Sequence, residues 1–217
     1  DRVDALVMCG GRGTRLRGTE RTGSSRGSDA TPPGAEKPLV EIGGRSMLAR
    51  VVGALDASGL GGAVHAVVSP HAPDTAARAA DLPAAVVETP GEGYVSDLVT
   101  ALDAVGRPAL TVPADLPLLA PEHVDDALAN ARAPGALDSE ADDGAATSVA
   151  VCVPAALKRR LGASVDASFE SDGREVAPTG LNVVAGDDDT VALTYDARLA
   201  VNVNRPGDVA LAEALSE

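Results

Sequence analysis

Long apolar stretches are missing from this sequence. No run approaches the ~20 apolar residues that a membrane-spanning helix needs, and no secretory leader is recognisable. Cysteine is also scarce: Cys9 and Cys152 both lie in apolar segments, and no His beside Cys9 could generate a reactive thiolate. We therefore expect a soluble, cytoplasmic protein whose cysteines are small buried side chains, with a nucleophilic Cys9 as the alternative.

Positive charge is scarce as well. The chain has 18 Lys and Arg against 32 Asp and Glu, a net charge of -14, and no basic stripe of the kind that nucleic acids require. Polynucleotide substrates are therefore excluded. Its lysines are Lys37 and Lys158, and its aromatic residues are Tyr94, Phe169 and Tyr195. This composition predicts a halophilic protein in a high-salt cytoplasm; acidity adapted to the substrate is the alternative, although a negative surface repels triphosphates.

Short apolar runs alternate with segments of helical period along the chain. This alternation is typical of a parallel sheet covered by helices. With 217 residues, the sequence suffices for one compact domain, 1–217, and is too short for two ordinary ones. We predict an α/β fold with one doubly wound, mostly parallel sheet and helices on both faces. The predicted strands are 5–8, 63–68, 85–87, 109–112, 148–153 and 181–185, and the predicted helices are 46–55, 95–104, 121–131, 154–161 and 206–215.

Three segments contain too few apolar residues to offset the entropy of ordering a chain. Segment 17–35 is rich in Gly, Ser, Thr and Pro, segment 135–146 carries four acidic residues, and segment 186–189 is short and acidic. We predict that all three are mobile loops, the first of them an insertion.

A glycine-rich loop follows the first predicted strand, with the sequence CGGRGTRL at 9–16. Glycines let the backbone approach a ligand, so that its N–H groups converge on phosphate oxygens. The spacing is not that of a P-loop, and leucine stands where a dinucleotide fingerprint needs its third glycine. The loop thus predicts phosphate binding without a kinase or dehydrogenase motif. Its expected phosphate donors are Gly10, Gly11, Gly13, Thr14 and Arg15.

Two charged residues are candidates for chemistry. Lys37, in the sequence EKPLV at 36–40, offers a compact ammonium on a flexible stem that could follow a moving phosphoryl group, or it is a solvated loop cation. Asp115, in PADLP at 113–117, follows a predicted strand at the sheet edge where open α/β sheets bind ligands. It could hold Mg²⁺ against triphosphate oxygens, or it could cap a turn.

The glycine loop, the Lys-Pro pair, the GGR turn at 43–45 and the strand-end Asp-Leu-Pro together resemble the nucleotidyltransferase superfamily. That superfamily includes molybdenum-cofactor guanylyltransferases and sugar-phosphate nucleotidyltransferases, and the resemblance implies a Rossmann-like fold. Further segments, TPGEGYVSDL at 89–98, PTGLNVV at 178–184 and VNVN at 201–204, resemble the archaeal GTP:adenosylcobinamide-phosphate guanylyltransferases. Segment 17–35 departs from that family, whose members pass from the loop arginine to the lysine in a few residues.

The narrower resemblance implies that GMP passes from GTP to adenosylcobinamide phosphate and that pyrophosphate is released. Because the attacking phosphate oxygen already carries charge, no general base is needed. A molybdenum-cofactor or sugar-phosphate nucleotidyltransferase is the first alternative, and a non-catalytic nucleotide-sensing subunit is the second. The expected partners are small molecules and Mg²⁺, without nucleic acid, and a homodimer is an open alternative to a monomer.

The resemblance also implies a role for each matching residue. Its catalytic residues are Arg15, Lys37 and Asp115, and its metal ligands are Asp115, Asn202 and Asn204. Its nucleotide-binding residues are Gly10, Gly11, Gly13, Thr14, Ser69, Gly91, Gly93 and Tyr94, and its acceptor-binding residues are Thr179, Gly180 and Asn182.

Several of these residues have simpler interpretations. Ser69 could cap a helix, Tyr94 could be a core aromatic, and Asn182 or Asn204 could bond to local backbone. Asp97 could recognise a base or could be an exposed acid in the first turn of a helix, and we leave it outside the catalytic set. The three histidines, His65, His71 and His123, show no metal-ligand spacing, and no chemistry is expected of them.

Overall fold

The computed structural model describes residues 2–10, 16, 36–132, 146–186 and 189–216. The strands are β1 (Val3–Met8), β2 (Glu41–Ile42), β3 (Arg45–Ser46), β4 (Gly61–Val68), β5 (Ala85–Glu88), β6 (Ala109–Pro113), β7 (Ser148–Pro154), β8 (Phe169–Ser171), β9 (Arg174–Val184) and β10 (Asp189–Leu193). The helices are α1 (Met47–Asp56), α2 (Pro73–Ala80), α3 (Tyr94–Val105), α4 (Pro121–Arg132), α5 (Ala155–Leu161) and α6 (Pro206–Leu215), with 3₁₀ turns at Lys37–Leu39 and Ala197–Ala200. Within these ranges, no helix has the length and apolarity needed to cross a bilayer.

One mostly parallel sheet organises the chain, as predicted. Its strands lie in the order β10-β7-β9-β6-β1-β4-β5, with β8 beside β9. Strand β1 pairs in parallel with both β4 and β6, whereas β9 runs antiparallel between β6 and β7. The chain moves from β1 outward to β4 and β5 and then returns to the other side of β1. Strand order therefore reverses at β1, the position where open α/β sheets form a ligand crevice.

Both faces of β1 are covered. Val3, Ala5 and Val7 are buried in the cluster that contains residues of α1 and α4. Leu6 and Met8 point to the opposite face, where they pack with residues of α3. Because successive side chains of a strand point to opposite faces, an apolar run of this kind must be buried on both. The prediction of helices on both faces is confirmed.

A small hairpin, β2–β3, brings the end of the chain towards the carboxyl edge of β6. Gly43 and Gly44 adopt φ values of +57° and +75°, which a two-residue hairpin turn of this hand requires. Ile42 packs in a cluster with Val201 and Val203. The Val203 amide donates to the Asp115 carbonyl at 2.8 Å. Segment 201–204 is thereby held beside the residues that follow β6.

Every predicted strand and helix is present, with ends shifted by a few residues, but some elements were not predicted. Helix α2 was missed because its sequence, PDTAARAA, contains no large apolar side chain. Strand β9 begins at residue 174 and not 181, and β8 pairs with its added part. Asp189 opens β10, where it pairs with Ser148 of β7, so the loop prediction for 186–189 is wrong at that residue. Residues 187 and 188 lie outside the described residues. The predicted loops 17–35 and, apart from Ala146, 135–146 lie outside the described residues.

Candidate active site

Three loops meet at the carboxyl ends of parallel strands. Gly10 follows β1, Ser69 follows β4 and Asp115 follows β6. Since these strands are neighbours and run in the same direction, their carboxyl ends form one edge of the sheet. The remaining predicted donors of the glycine loop, Gly11, Gly13, Thr14 and Arg15, lie outside the described residues.

The Lys37 ammonium contacts the Asp115 carboxylate at this edge. Lys37 Nζ donates to Asp115 Oδ2 at 2.5 Å and to Asn204 Oδ1 at 2.7 Å. The two charged side chains are only 15% and 19% exposed. Screening by water is weak at such sites, so the pair interacts strongly. Lys37 is therefore not a solvated loop cation, and that alternative is wrong.

Lys37 owes its position to its neighbour Glu36. The Glu36 carboxylate accepts hydrogen bonds from the backbone N–H groups of Asp74 (3.0 Å) and Thr75 (2.6 Å) in the first turn of α2. The first N–H groups of a helix lack intrahelical partners and attract negative charge. Glu36 thus caps α2 from a distant part of the chain and anchors the 3₁₀ turn that carries Lys37, in which Pro38 is buried.

Asn202 orients the Asp115 carboxylate. Its Nδ2 donates to Asp115 Oδ1 at 3.2 Å and to the Thr179 carbonyl at 2.9 Å. Its Oδ1 accepts from the Lys158 ammonium at 2.8 Å. The amide nitrogen must donate to two acceptors, Asp115 and the Thr179 carbonyl, and the amide oxygen must accept from the Lys158 ammonium. Only this orientation of the amide satisfies all three partners. The amide nitrogen of Asn202 therefore faces Asp115, and its oxygen faces Lys158.

These contacts distinguish between the predicted metal ligands. Among the residues that the structure describes, no three His, Cys, Asp or Glu side chains come together as a ready-made metal site. Mg²⁺, however, commonly uses one or two carboxylates together with substrate phosphates. Asp115 and the Asn204 oxygen both contact the Lys37 ammonium, so the two oxygens converge on one cation and could hold a metal ion in its place. Asn202 presents its amide nitrogen to Asp115 and suits an orienting role better.

A first cleft, of about 200 Å³, opens between the ends of β1 and β4 and the start of α3. Five of the predicted nucleotide-binding residues line it: Gly10, Ser69, Gly91, Gly93 and Tyr94. Gly91 has a φ of +75°, and a Cβ there would lie 3.0 Å from Ser69 Cβ. Helix α2 begins after Ala72, so Ser69 is not its cap.

Asp97 belongs to the first cleft, and the expectation of an exposed first-turn acid is wrong. The residue is 5% exposed, and its Oδ1 accepts from the Gly91 amide at 2.9 Å. Its Oδ2 lies 3.7 Å from the position that a Cβ on Gly10 would occupy. The side chain turns inward because it holds the loop that precedes α3. Residues 91 and 97 are six apart, and no periodicity in the sequence signals that bond.

A second cleft, of about 230 Å³, opens beside Asp115. Its lining includes the polar residues Tyr94, Asp115, Lys158, Ser164, Asp166, Thr179, Asn202 and Asn204. Tyr94 lines both clefts and is 51% exposed, so the alternative of a core aromatic is wrong. The two clefts therefore adjoin at Tyr94, and the Lys37–Asp115 pair belongs to the second of them through Asp115.

The predicted acceptor residues sit in different surroundings. Gly180 lines the second cleft with a φ of +87°, and a Cβ there would lie 2.7 Å from Pro113 Cγ. Thr179 is fully buried: its hydroxyl donates to the Val151 carbonyl at 2.8 Å, and its own carbonyl accepts from Asn202. Asn182 donates to the Gly180 carbonyl at 3.0 Å, as the local-backbone alternative expected.

Lys158 is a site residue that the sequence analysis missed. It is 4% exposed, and burial lowers the pKa of its ammonium, while the nearby carboxylates of Asp115, Asp208 and Asp166 oppose that change. The scarcity of lysine that singled out Lys37 applied equally to Lys158. Its surroundings in the sequence, ALKRR, read as an ordinary helix end and gave no further signal.

Of the described residues, the cysteines and histidines are not among those that hydrogen-bond with Lys37 or Asp115. Cys9 is 2% exposed, and burial raises the pKa of its thiol to about 12, so the prediction of an unreactive buried side chain is confirmed. His65 pairs with Asp4 away from the clefts. His71 alone among the histidines lines the first cleft, which its sequence position did not indicate.

Comparisons with known proteins agree with this architecture. The adenosylcobinamide-phosphate guanylyltransferase of Methanocaldococcus jannaschii is 28% identical over an alignment of 226 positions, which covers 98% of this chain and 97% of that protein. A hypothetical transferase from Thermus thermophilus has a similar fold, with a TM-score of 0.56 and 23% identity over 85% of this chain and 66% of its own. CMP:2-keto-3-deoxy-manno-octonic acid synthetase, solved with CTP, has a TM-score of 0.61 and 13% identity over 99% of this chain and 97% of its own. Residues 5–177 match the MobA-like NTP transferase domain, and the chain therefore belongs to this family of nucleotidyl-transfer enzymes.

Proposed function

We propose that the protein transfers GMP from GTP to adenosylcobinamide phosphate and releases pyrophosphate. The observation that carries the proposal is a pair of clefts that adjoin at Tyr94, the second of them lined by the Asp115 carboxylate that Lys37 contacts. One cleft can take a nucleotide and the other an acceptor, with the reacting phosphates between them. The 28% identity to the Methanocaldococcus jannaschii enzyme, which extends over 98% of this chain, supports this choice of substrates.

The first cleft suits a guanine base. Guanine presents two donors, N1–H and the 2-amino group, on its Watson–Crick edge, and a buried carboxylate is their natural acceptor. Asp97 is the carboxylate that lines this cleft, and its Oδ1 already fixes the Gly91 loop. In the proposed complex, Asp97 accepts from the base and the N-terminus of α3 favours the negative phosphates nearby. The N-cap residue of that helix, Gly93, supplies no side-chain cap.

The proposed chemistry is an in-line displacement. An oxygen of the acceptor phosphate forms a bond to the α-phosphorus of GTP as the bond from that phosphorus to the bridging oxygen of the β-phosphate breaks, and pyrophosphate takes the electron pair. Lys37 leaves Asp115 and follows the negative charge that builds on the phosphates. Asp115 and Asn204 would hold Mg²⁺, which supplies further stabilisation of that charge. Asn202 keeps the carboxylate oriented throughout.

Two other functions were considered. A molybdenum-cofactor or sugar-phosphate acceptor would use the same Lys37–Asp115 chemistry and differ only in what fills the second cleft. A nucleotide sensor without catalysis has no use for a lysine held against a carboxylate that lines the second cleft, because binding alone needs no group directed at a transition state. The Lys37–Asp115 contact therefore favours catalysis over sensing.

The decisive experiment measures pyrophosphate release with every pairing of ATP, GTP, CTP and UTP with candidate acceptors. The acceptors are adenosylcobinamide phosphate, molybdopterin, and sugar 1-phosphates, each tested with Mg²⁺ and with EDTA. We expect release with GTP and adenosylcobinamide phosphate and its loss in EDTA. Release with GTP and molybdopterin alone, or with CTP and a sugar phosphate, would replace the proposed acceptor by the first alternative.

A further inference from the structure

We propose that Lys158 binds the phosphate group of the acceptor. This inference rests on the proposed function only in requiring a phosphorylated acceptor, whatever organic group carries the phosphate. Lys158 lies at the start of the last turn of α5 and lines the second cleft beside Asp115 and Ser164. None of the roles implied by the family resemblance uses it.

The charge in the second cleft makes a cation necessary. Asp115 and Asp166 line the cleft, and Lys158 is the one cation among the described residues that do so. An acceptor phosphate that binds beside Asp115 adds nearly two further negative charges to the cleft. Like charges repel strongly in a site from which water is partly excluded. Lys37 is assigned to the GTP phosphates in the proposed reaction. The acceptor phosphate therefore needs its own positive partner.

Lys158 is held in a position from which it can bind such a phosphate. Its ammonium donates to Asn202 Oδ1 at 2.8 Å, and this amide is itself fixed by Asp115 and the Thr179 carbonyl. An ammonium has three protons to donate, and the neutral amide takes one of them. A cation that is preoriented by a neutral group keeps its electrostatic attraction for an incoming anion and loses little entropy when the anion binds.

Fold stability gives no equal reason for a lysine at this position. The residue is 4% exposed, so its ammonium has lost nearly all contact with water, which disfavours the charged form. An apolar side chain of similar length would fill the same volume without that cost. The charge therefore has its use in the cleft, which Lys158 lines beside Asp115 and Asp166.

The test compares two ligands that differ only in the phosphate: adenosylcobinamide phosphate and adenosylcobinamide. Their dissociation constants are measured calorimetrically in the presence of a GTP analogue with a methylene group between the α- and β-phosphorus, which prevents turnover. For the unmodified protein, we expect tighter binding of the phosphorylated ligand. For Lys158→Met, we expect that binding to weaken by about 10- to 100-fold, the range for a hydrogen bond to a charged group. Binding of the ligand without phosphate should change by less than about 2-fold.

Arg160→Met is the matched control, because it removes an exposed cation from the same helix and should change neither constant. Lys158→Arg keeps the charge and should restore part of the preference for phosphate. Lys158→Gln preserves a donor to Asn202 without charge, and it replaces Lys158→Met if that variant does not fold, as judged by its melting curve and its affinity for the GTP analogue. If the charge-free variant weakens both ligands equally, or neither, Lys158 has only a structural role and the proposal fails.

Failure of the proposed function looks different. It would appear as the absence of pyrophosphate release from the unmodified protein with adenosylcobinamide phosphate. If another phosphorylated acceptor supports release, the same comparison is made with that acceptor and its dephosphorylated form. An unmodified protein that uses no phosphorylated acceptor would overturn both proposals.

Discussion

Lys37 and Asp115, 78 residues apart in the sequence, form a 2.5 Å ion pair beside the second cleft. The contact brings two opposite charges together. In the proposed reaction, a triphosphate draws the ammonium away because it carries more negative charge than a single carboxylate, and the carboxylate is then released to hold a cation. The proposed reaction therefore requires the two side chains to separate.

The exchange of partners predicts how loss of the Lys37 charge will act. Lys37→Ala should lower kcat by ~10²-fold or more, on the scale of removing one donor to a transition state, and should weaken GTP binding much less. Steady-state kinetics and equilibrium GTP binding separate the two effects. Unchanged turnover combined with weaker binding would instead place Lys37 in ground-state recognition.

A second prediction concerns selection of the base by Asp97. Asp97→Asn retains an oxygen for the Gly91 amide but removes the charge, so the loop should keep its shape while guanine loses its best acceptor. The ratio of kcat/KM for GTP to that for ITP, which lacks the 2-amino group, should fall by about 10-fold. Asp103→Asn, on the exposed side of α3, should leave that ratio unchanged. An equal loss with both nucleotides would show that Asp97 only supports the loop.

A third prediction links pH to the segment that precedes Asn202. Hydrogen bonds from Arg198, and then from His123, hold the pKa of the Asp196 carboxyl well below its usual value. A lowered folded-state pKa contributes stability that is complete above the unfolded value, near 4, and is lost as the pH falls towards the folded value. Asp196→Asn should therefore reduce the free energy of unfolding by about 1–2 kcal/mol at pH 7, with a smaller difference below about pH 4. Denaturant unfolding at both pH values measures the change.

Asp81→Asn provides the control for this experiment. Its carboxylate is 76% exposed and lies 3.9 Å from Arg78, so its ion pair should contribute little at any pH. If the effect of Asp196→Asn stayed constant from pH 7 to pH 3, the ionised carboxylate would not be the source of the stability.

The fourth prediction follows from the net charge of -14. Self-repulsion should destabilise the fold at low ionic strength, and screening should relieve it, since the Debye length falls from ~10 Å at 0.1 M salt to ~3 Å at 1 M. We expect both the melting temperature and pyrophosphate release to rise with KCl. Further gain above ~1 M would need another cause, such as stronger apolar burial. A protein that is most stable and most active in dilute buffer would contradict the high-salt interpretation.

The sequence alone was enough to predict the sheet and its helices and to single out Lys37 and Asp115 as candidates for chemistry. The apolar run of β1 required a strand buried on both faces, and alternation with helical segments required a doubly wound sheet. Asp115 could be placed at the ligand-binding edge because it directly follows a strand, and the rarity of lysine drew attention to Lys37. Patterns of this kind are local, so a single segment is enough to show them.

Only the tertiary structure decided the contacts within the site. Asn202 was expected to bind metal, but its amide nitrogen faces Asp115 because Lys158 and the Thr179 carbonyl fix its orientation. Asp97 turns inward, although its position in the first turn of a helix suits solvent equally well. The direction of an amide or a carboxylate depends on partners supplied by distant segments, and the free energy of those hydrogen bonds and of burial exists only once the sheet has brought the segments together.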